Sequence, residues 1–426
     1  MQISKKDRLT ELLKSELVPA LGCTEPIAIA FTAAKACELL NEGVSNVVVR
    51  CSTNIIKNAK SVFVPKTNGL KGIAAAALIG IYGGEASLGL EVLNSVTDQA
   101  IEKVNQQLDS GICKVIQLDS ENNLDIIVEL NGANGHTASA RVTDEHTNIT
   151  QLMKDHKVIF SKKTTSENKD GLSSPLIGIE FGDLLAYARE VDIKEVEEII
   201  TRQIEYNTKI SNEGLKNNYG INMGSTVLEI LGDTVDARAI AMPAAGADAR
   251  MGGAELPVII NSGSGNQGLT ASMPVIEYAK SLGVSREILY RALVLSNLVA
   301  IYQRNKIGRL SAYCGVVNAA AGASAGITFM RKGNEQEIGY SVEYVLGTLS
   351  GIICDGAKAS CASKIASSVQ CALIGSTLSL NNHHFLSGDG IIKNSTTETI
   401  DGVGRLGKEG MQETDLIILK IMMNEN

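Results

Sequence analysis

Hydrophobic and polar positions change period twice along the chain. Residues 5–16 set apolar side chains at helical spacing between charges, and a second helix runs from about Pro26 to Leu40. Thr24-Glu25-Pro26 reads as its start: a capping side chain, an acid at the positive end, and a proline in the first turn. From Val44 the period becomes two. VSNVVVRCS, SVFVP, CKVIQL, LDIIVEL, TASARVT and HKVIF read as strands, with Asn-Gly at 131–132 and 134–135 supplying turn chemistry. Helices at roughly 71–82 and 88–108 interrupt this set, which makes residues 44–162 a mixed α+β unit. The polar stretch at 161–174, SKKTTSENKDGLSS, reads as a linker. Beyond it the pattern is helical from about 178 to 380, broken by glycine-rich stretches at 244–253 and 261–268, with one further helix in 398–424. The expected fold class is α+β: a mainly helical domain over 175–426, rejoined by N-terminal helices over 1–43, with the mixed α+β domain of 44–162 inserted between them. That arrangement would let Cys23 meet Cys314.

Composition narrows the partners. Hydrophobic residues make up 44% of the chain and charged residues 20%, as in an ordinary globular protein, but Trp is absent and only 6 Phe and 10 Tyr occur. The cores are therefore expected to be aliphatic and Ala-rich. The net charge of −8 comes without a basic run, which argues against nucleic acid as a partner. MQISKKDRLTELL has no apolar core of a signal peptide, and the apolar runs stop short of a membrane span. A cytoplasmic protein without a membrane partner is the expectation.

Eight cysteines in 426 residues are too sparse for a disulfide scaffold, and in a reducing compartment clustered cysteines favour metal binding or catalysis. Cys354 and Cys361 lie seven positions apart in GIICDGAKASCASK. On an unbroken helix that separation would be roughly 10 Å, but Asp355-Gly356 is a turn signal, so CDGAKASC reads as a loop between two helices. Thiolates without nearby histidines suit a soft centre, an iron–sulfur cluster or zinc, and the spacing matches no C-x-x-C zinc pattern. A free cysteine equally well packs as a small hydrophobe, and Cys37, Cys51, Cys113 and Cys371 are read so. Cys23, at a helix N-terminus, has a dipole that favours a thiolate acting as base, nucleophile or temporary cluster ligand, or is simply packed there. NSGSGNQG at 261–268 offers backbone N–H groups and a helix start suited to an anion, or is a plain connection; it spells neither a P-loop nor G-x-G-x-x-G.

Taken together, GCTEP, NSGSGNQG, YCGVVNAA, CDGAKASC and the tail GRLGKEGMQETD resemble the L-cysteine desulfidase family and, more distantly, the iron–sulfur L-serine dehydratases, over nearly the whole chain. The resemblance implies an oxygen-sensitive 4Fe–4S enzyme that eliminates a β-substituent from a small amino acid without pyridoxal phosphate, with the mainly helical domain as the catalytic one. Cys314, Cys354 and Cys361 would hold the cluster; Cys314 enters this set only through the resemblance. Cys23 would be the active-site thiol. An iron left open by three cysteine ligands would act as a Lewis acid on the leaving group. The substrate carboxylate is assigned to Ser262, Ser264 and Asn266 of the glycine-rich loop, with Asn54 and Arg405 as further candidates.

L-cysteine, giving pyruvate, ammonia and hydrogen sulfide, is the expected substrate, and L-serine the alternative on the same site. More distant readings are a pyridoxal-phosphate lyase, with Lys306 or Lys358 as Schiff-base lysine, and a non-enzymatic redox sensor. The α+β domain is assigned structural support or dimer contacts, so a homodimer is expected.

Overall fold

The computed structural model describes residues 4–120, 122–162, 175–308 and 311–423; the linker read at 161–174 lies, from residue 163 on, outside the described residues. The fold is α+β, and the chain forms two compact units. One comprises residues 1–19, 170–354 and 359–413, the other residues 20–169, 355–358 and 414–426.

Helix α1 (Lys5–Glu16), capped by the Ser4 side chain, belongs to the first, helical unit. After the short strand β1 (Pro19–Leu21) the chain enters the second unit with α2 (Thr24–Leu40), β2 (Val44–Cys51), α3 (Thr53–Ala59), α4 (Gly72–Gly83), α5 (Asp98–Ser110) and β3 (Cys113–Gln117). β4 (Asp125–Gly132), β5 (Thr137–Thr143), β6 (Ile149–Lys154) and β7 (Lys157–Ser161) complete it. The six-stranded sheet runs β3-β2-β4-β5-β6-β7, with β2 and β3 parallel and the other neighbours antiparallel. Alternation does what it should: Ile126, Val128 and Leu130 of β4 and Ala138, Ala140 and Val142 of β5 are buried, and α2 lies on β4 and β5. Glycine lets α4 close on α2, because a Cβ at Gly80 would collide with the Ala30 carbonyl.

Here the division differs from the one read at 43–44. Helix α2 is apolar on nearly every face and buried along most of its length, so it groups with the sheet and α4 it covers rather than with α1. SVFVP forms no strand: Pro65 has no N–H to donate, Lys66, Asn68 and Gly69 take positive φ, and a lone bridge joins Phe63 to Lys71. The helix expected over 88–108 is a 3₁₀ turn at Ala86–Glu91, broken at Gly89 (φ 58°), followed by α5 with Thr97 as its cap. Strand β6 was not anticipated.

The helical unit continues with α6 (Phe181–Glu190), α7 (Ile193–Lys216), α8 (Met223–Leu231), α9 (Val235–Met251), β8 (Pro257–Ile259), α10 (Gly265–Leu282) and α11 (Arg286–Ile307). It closes with α12 (Gly315–Met330), α13 (Glu335–Leu349), α14 (Ser360–Leu380) and α15 (Thr396–Arg405), after which most of α16 (Gln412–Met423) returns to the sheet unit. At the centre of the bundle α12 packs on α10, α11, α13 and α14. Its small residues permit this: a Cβ at Gly322 would collide with the Ser296 carbonyl of α11. No helix among the described residues is long and apolar enough to cross a membrane.

Candidate active site

Two of the clustered cysteines are joined by backbone. Tyr313 and Ile353 form an antiparallel bridge, with Cys314 N–H donating to Ile352 O (3.1 Å) and Cys354 N–H donating to Ala312 O (2.6 Å). Segments forty positions apart are thus fixed side by side. Cys314 is the extended N-cap residue of α12, and Cys361 is the second residue of α14. The turn read at Asp355-Gly356 is present, with Gly356 at φ +92°. The Cys314 thiol is hydrogen-bonded to Cys354. That bond, burial and the neighbouring sulfurs of Cys354 and Cys361 push its proton affinity well above that of an ordinary thiol, against a smaller opposing effect of the Val316 N–H. Cys314 and Cys354 are therefore partners, and Cys361 is near enough to act on the Cys314 thiol through its charge. Among the described residues no group of three or more His, Cys, Asp or Glu side chains is placed so that it could hold a metal ion as it stands. The side chains that act on the Cys314 thiol are those of Cys354 and Cys361, and sulfur is the donor type that suits a soft centre such as an iron–sulfur cluster.

The glycine-rich loop reaches this place, but not through the residues selected for it. Ser262 (φ 51°) and Gly263 (φ 78°) make a tight turn closed by reciprocal backbone bonds between Asn261 and Ser264. Ser264 caps α10 by accepting from Gln267 N–H (3.4 Å), the Ser262 hydroxyl donates to Asn261 Oδ1 (2.9 Å), and Asn266 Oδ1 accepts from Arg250 Nη1 (3.0 Å). All three proposed carboxylate ligands have internal partners. Gln267 makes the contact instead: a Cβ at Gly315 would lie 2.5 Å from its Cδ, so its amide sits against the residue that follows Cys314. Two buried cations flank the region, Arg250 beside Asn266 and Arg304 on the Tyr313 carbonyl (3.5 Å). The tail motif is also here. Ser311 Oγ donates to Gly407 O (2.7 Å), and a Cβ at Gly407 would press on Ile307 and Tyr313. Arg405 is exposed and bonds Glu409 on its own turn (3.4 Å). Lys306 is paired with Asp401 (2.8 Å).

In the sheet unit Cys23 is the N-cap residue of α2, as read. Its Sγ–H donates to Glu25 Oε2 (3.1 Å), to which Thr24 Oγ1 also donates (3.2 Å), while Asn58 Nδ2 donates to Glu25 Oε1 (2.9 Å). Cys23 and Glu25 are both buried. Cys23 thus faces a carboxylate, a partner that the N-cap reading left out. Asn54, one turn from Asn58 on α3, is buried, donates Nδ2 to Asn123 Oδ1 (3.3 Å) and leaves its Oδ1 without a partner among the described residues. Glu25, Asn58 and Gln267 were not selected from sequence. Glu25 stood in the quoted GCTEP block and Gln267 in GNQG, but only burial and pairing single them out.

A family model described as serine dehydratase alpha chain matches residues 87–420, a segment that includes the three clustered cysteines and the glycine-rich loop but not Cys23. The chain is 53% identical to the UPF0597 protein of Lachnoclostridium phytofermentans over 417 residues, 98% of this chain and 99% of the relative. It is 45% identical to the UPF0597 protein of Finegoldia magna over 421 residues (98% and 99%) and 44% identical to that of Treponema denticola over 427 residues (99% and 99%).

Proposed function

The chain belongs to the serine dehydratase alpha-chain family and is a serine-dehydratase-like lyase; from that premise we propose that it is an iron–sulfur enzyme eliminating hydrogen sulfide from L-cysteine. What supports the reading is the backbone bridge that sets Cys314 beside Cys354, with the Cys361 sulfur acting on the Cys314 thiol. These three residues would hold a 4Fe–4S cluster. When bound, such a cluster supplies a Lewis acid for the departing thiolate or hydroxide.

The remaining chemistry falls to the chain's own residues. Removing the weakly acidic α-proton is assigned to Cys23: its sulfur accepts that proton as its own S–H hydrogen passes to Glu25 Oε2, so the pair gains one proton in all. Asn58 holds the other carboxylate oxygen and keeps Oε2 turned to the thiol. That Cys23 serves the same substrate as the thiol trio is carried by the motif pattern. Loss of the β-substituent leaves 2-aminoacrylate, which hydrolyses to pyruvate and ammonia. L-serine is the second reading, favoured by the name of the matching family model.

The test is anaerobic purification, a visible spectrum with iron and labile sulfide analysis, then assays of sulfide and pyruvate from L-cysteine and of pyruvate from L-serine. Cys314→Ser, Cys354→Ser and Cys361→Ser should each lose iron and turnover while keeping the helical circular dichroism. Reconstituted wild-type protein with neither iron nor turnover would sink the reading.

A further inference from the structure

Two buried amides beside Cys314 carry polar atoms that have no partner among the described residues. Asn318 is wholly buried on α12, and neither its Oδ1 nor its Nδ2 is hydrogen-bonded among the described residues. Gln267, 4% exposed, likewise leaves its Oε1 unpaired. The two belong to one place. Gln267 fills the space that a side chain at Gly315 would take, and Asn318 lies three residues on from Gly315 and four from Cys314, hence on the same face of α12. Helical side chains lean towards the N-terminus, so the Asn318 amide covers the turn that begins at Cys314. A buried polar group left unbonded is costly, and buried amides of this kind are ordinarily paired. Among the described residues two acceptors and one donor thus lie unbonded around the first turn of α12, one acceptor coming from α10.

We propose that Gln267 and Asn318 recognise the zwitterionic head of the amino-acid substrate. Gln267 Oε1 and Asn318 Oδ1 accept from the α-ammonium, and Asn318 Nδ2 donates to the α-carboxylate. This assignment rests on the lyase reading for the identity of the ligand, and it moves substrate binding from Ser262, Ser264 and Asn266, whose side chains are occupied, to the next residue of the same loop. A site built to bond an ammonium rejects the analogue without one, because its acceptors are then left unpaired.

The probe is L-alanine, which has the same head and no leaving group. Its binding to the reconstituted protein is measured by calorimetry beside that of propionate, which lacks the ammonium. Wild-type protein should prefer L-alanine, and Gln267→Met and Asn318→Leu should each weaken L-alanine by about tenfold to a hundredfold, the worth of a hydrogen bond to a charged group. Both variants should keep iron content and visible spectrum, and the ligand-free Asn318→Leu protein should melt no lower than wild type, since an apolar group replaces an unpaired amide. Unchanged L-alanine affinity in both variants, no binding by the wild type, a loss of iron with affinity intact, or a lowered melting temperature with affinity intact would each overturn the assignment. The last two would make the amides cluster neighbours or part of the packing. Turnover of L-cysteine or L-serine by wild type, with L-alanine affinity unmoved in the variants, removes this inference and leaves the lyase standing. Weakened L-alanine binding without turnover does the reverse.

Discussion

At Glu25 one carboxylate accepts from the Cys23 thiol, the Thr24 hydroxyl and the Asn58 amide. A hydrogen bond from Asn58 orients the acid, so its second oxygen is held ready for the thiol hydrogen. Glu25→Gln keeps the shape but takes no proton. It should lower kcat by roughly a hundredfold or more, leave iron content and L-alanine affinity near wild type, and flatten the acid limb of the pH–rate profile; wild-type kcat in this variant would remove Glu25 from the reaction. The cysteines read as packing behave so. Burial raises Cys113 and Cys371 to about 11 from the ordinary 9.0, and Cys51 further. A thiol that ionises less readily when folded adds stability below its unfolded pKa and loses it as pH climbs to the folded one. Melting temperature should therefore fall between about pH 9 and pH 11, and Cys371→Ala should shallow that fall. Spacing and a turn signal marked Cys354 and Cys361, and the family resemblance added Cys314, whereas Gln267 and Asn318 are ordinary amides until burial shows polar atoms of theirs without partners among the described residues.

Among the elements, close approach is written in small residues. Helices α2 and α4 touch where Gly80 meets the Ala30 backbone, and a methyl there has no flexible neighbour to displace. Gly80→Ala should cost about 1–3 kcal/mol, read as a lower denaturation midpoint in urea. A midpoint equal to wild type would mean that the helices can part at no cost. Gly315 is a gentler case, since the atom facing it is the end of a glutamine side chain. Period alone located β2, β3, β4, β5 and β7, although β7 is exposed along its whole length. It failed at SVFVP, where Pro65 and the turn after it outweigh β-branched residues, and at Ile149–Lys154, whose strand is decided by pairing to β5.

In the whole molecule each unit is assembled from separated pieces of chain, and the C-terminal piece is held by charge. Lys57 is buried and its ammonium is paired with Asp415 on α16. Asp415→Asn leaves a buried cation without its carboxylate and should destabilise the sheet unit by about 3–5 kcal/mol, whereas Lys57→Met with Asp415→Leu should recover most of the loss. Calorimetric melts of the single and double variants check this, and equal melting of Asp415→Asn and wild type would show the pair to be idle. Local order was legible without coordinates. Helix starts, alternating strands and the turn at Asp355-Gly356 follow from neighbouring residues and from the periods they impose, while the four-cysteine pattern came from the resemblance to a family. Tertiary structure alone decided that Tyr313 and Ile353 pair, so that Cys314 lies on Cys354, and that α2 belongs to the sheet it covers. It also decided which carboxylate faces the Cys23 thiol and which amide faces Gly315. Those are contacts between distant segments, set by which groups are removed from water together, and no period along the chain encodes them.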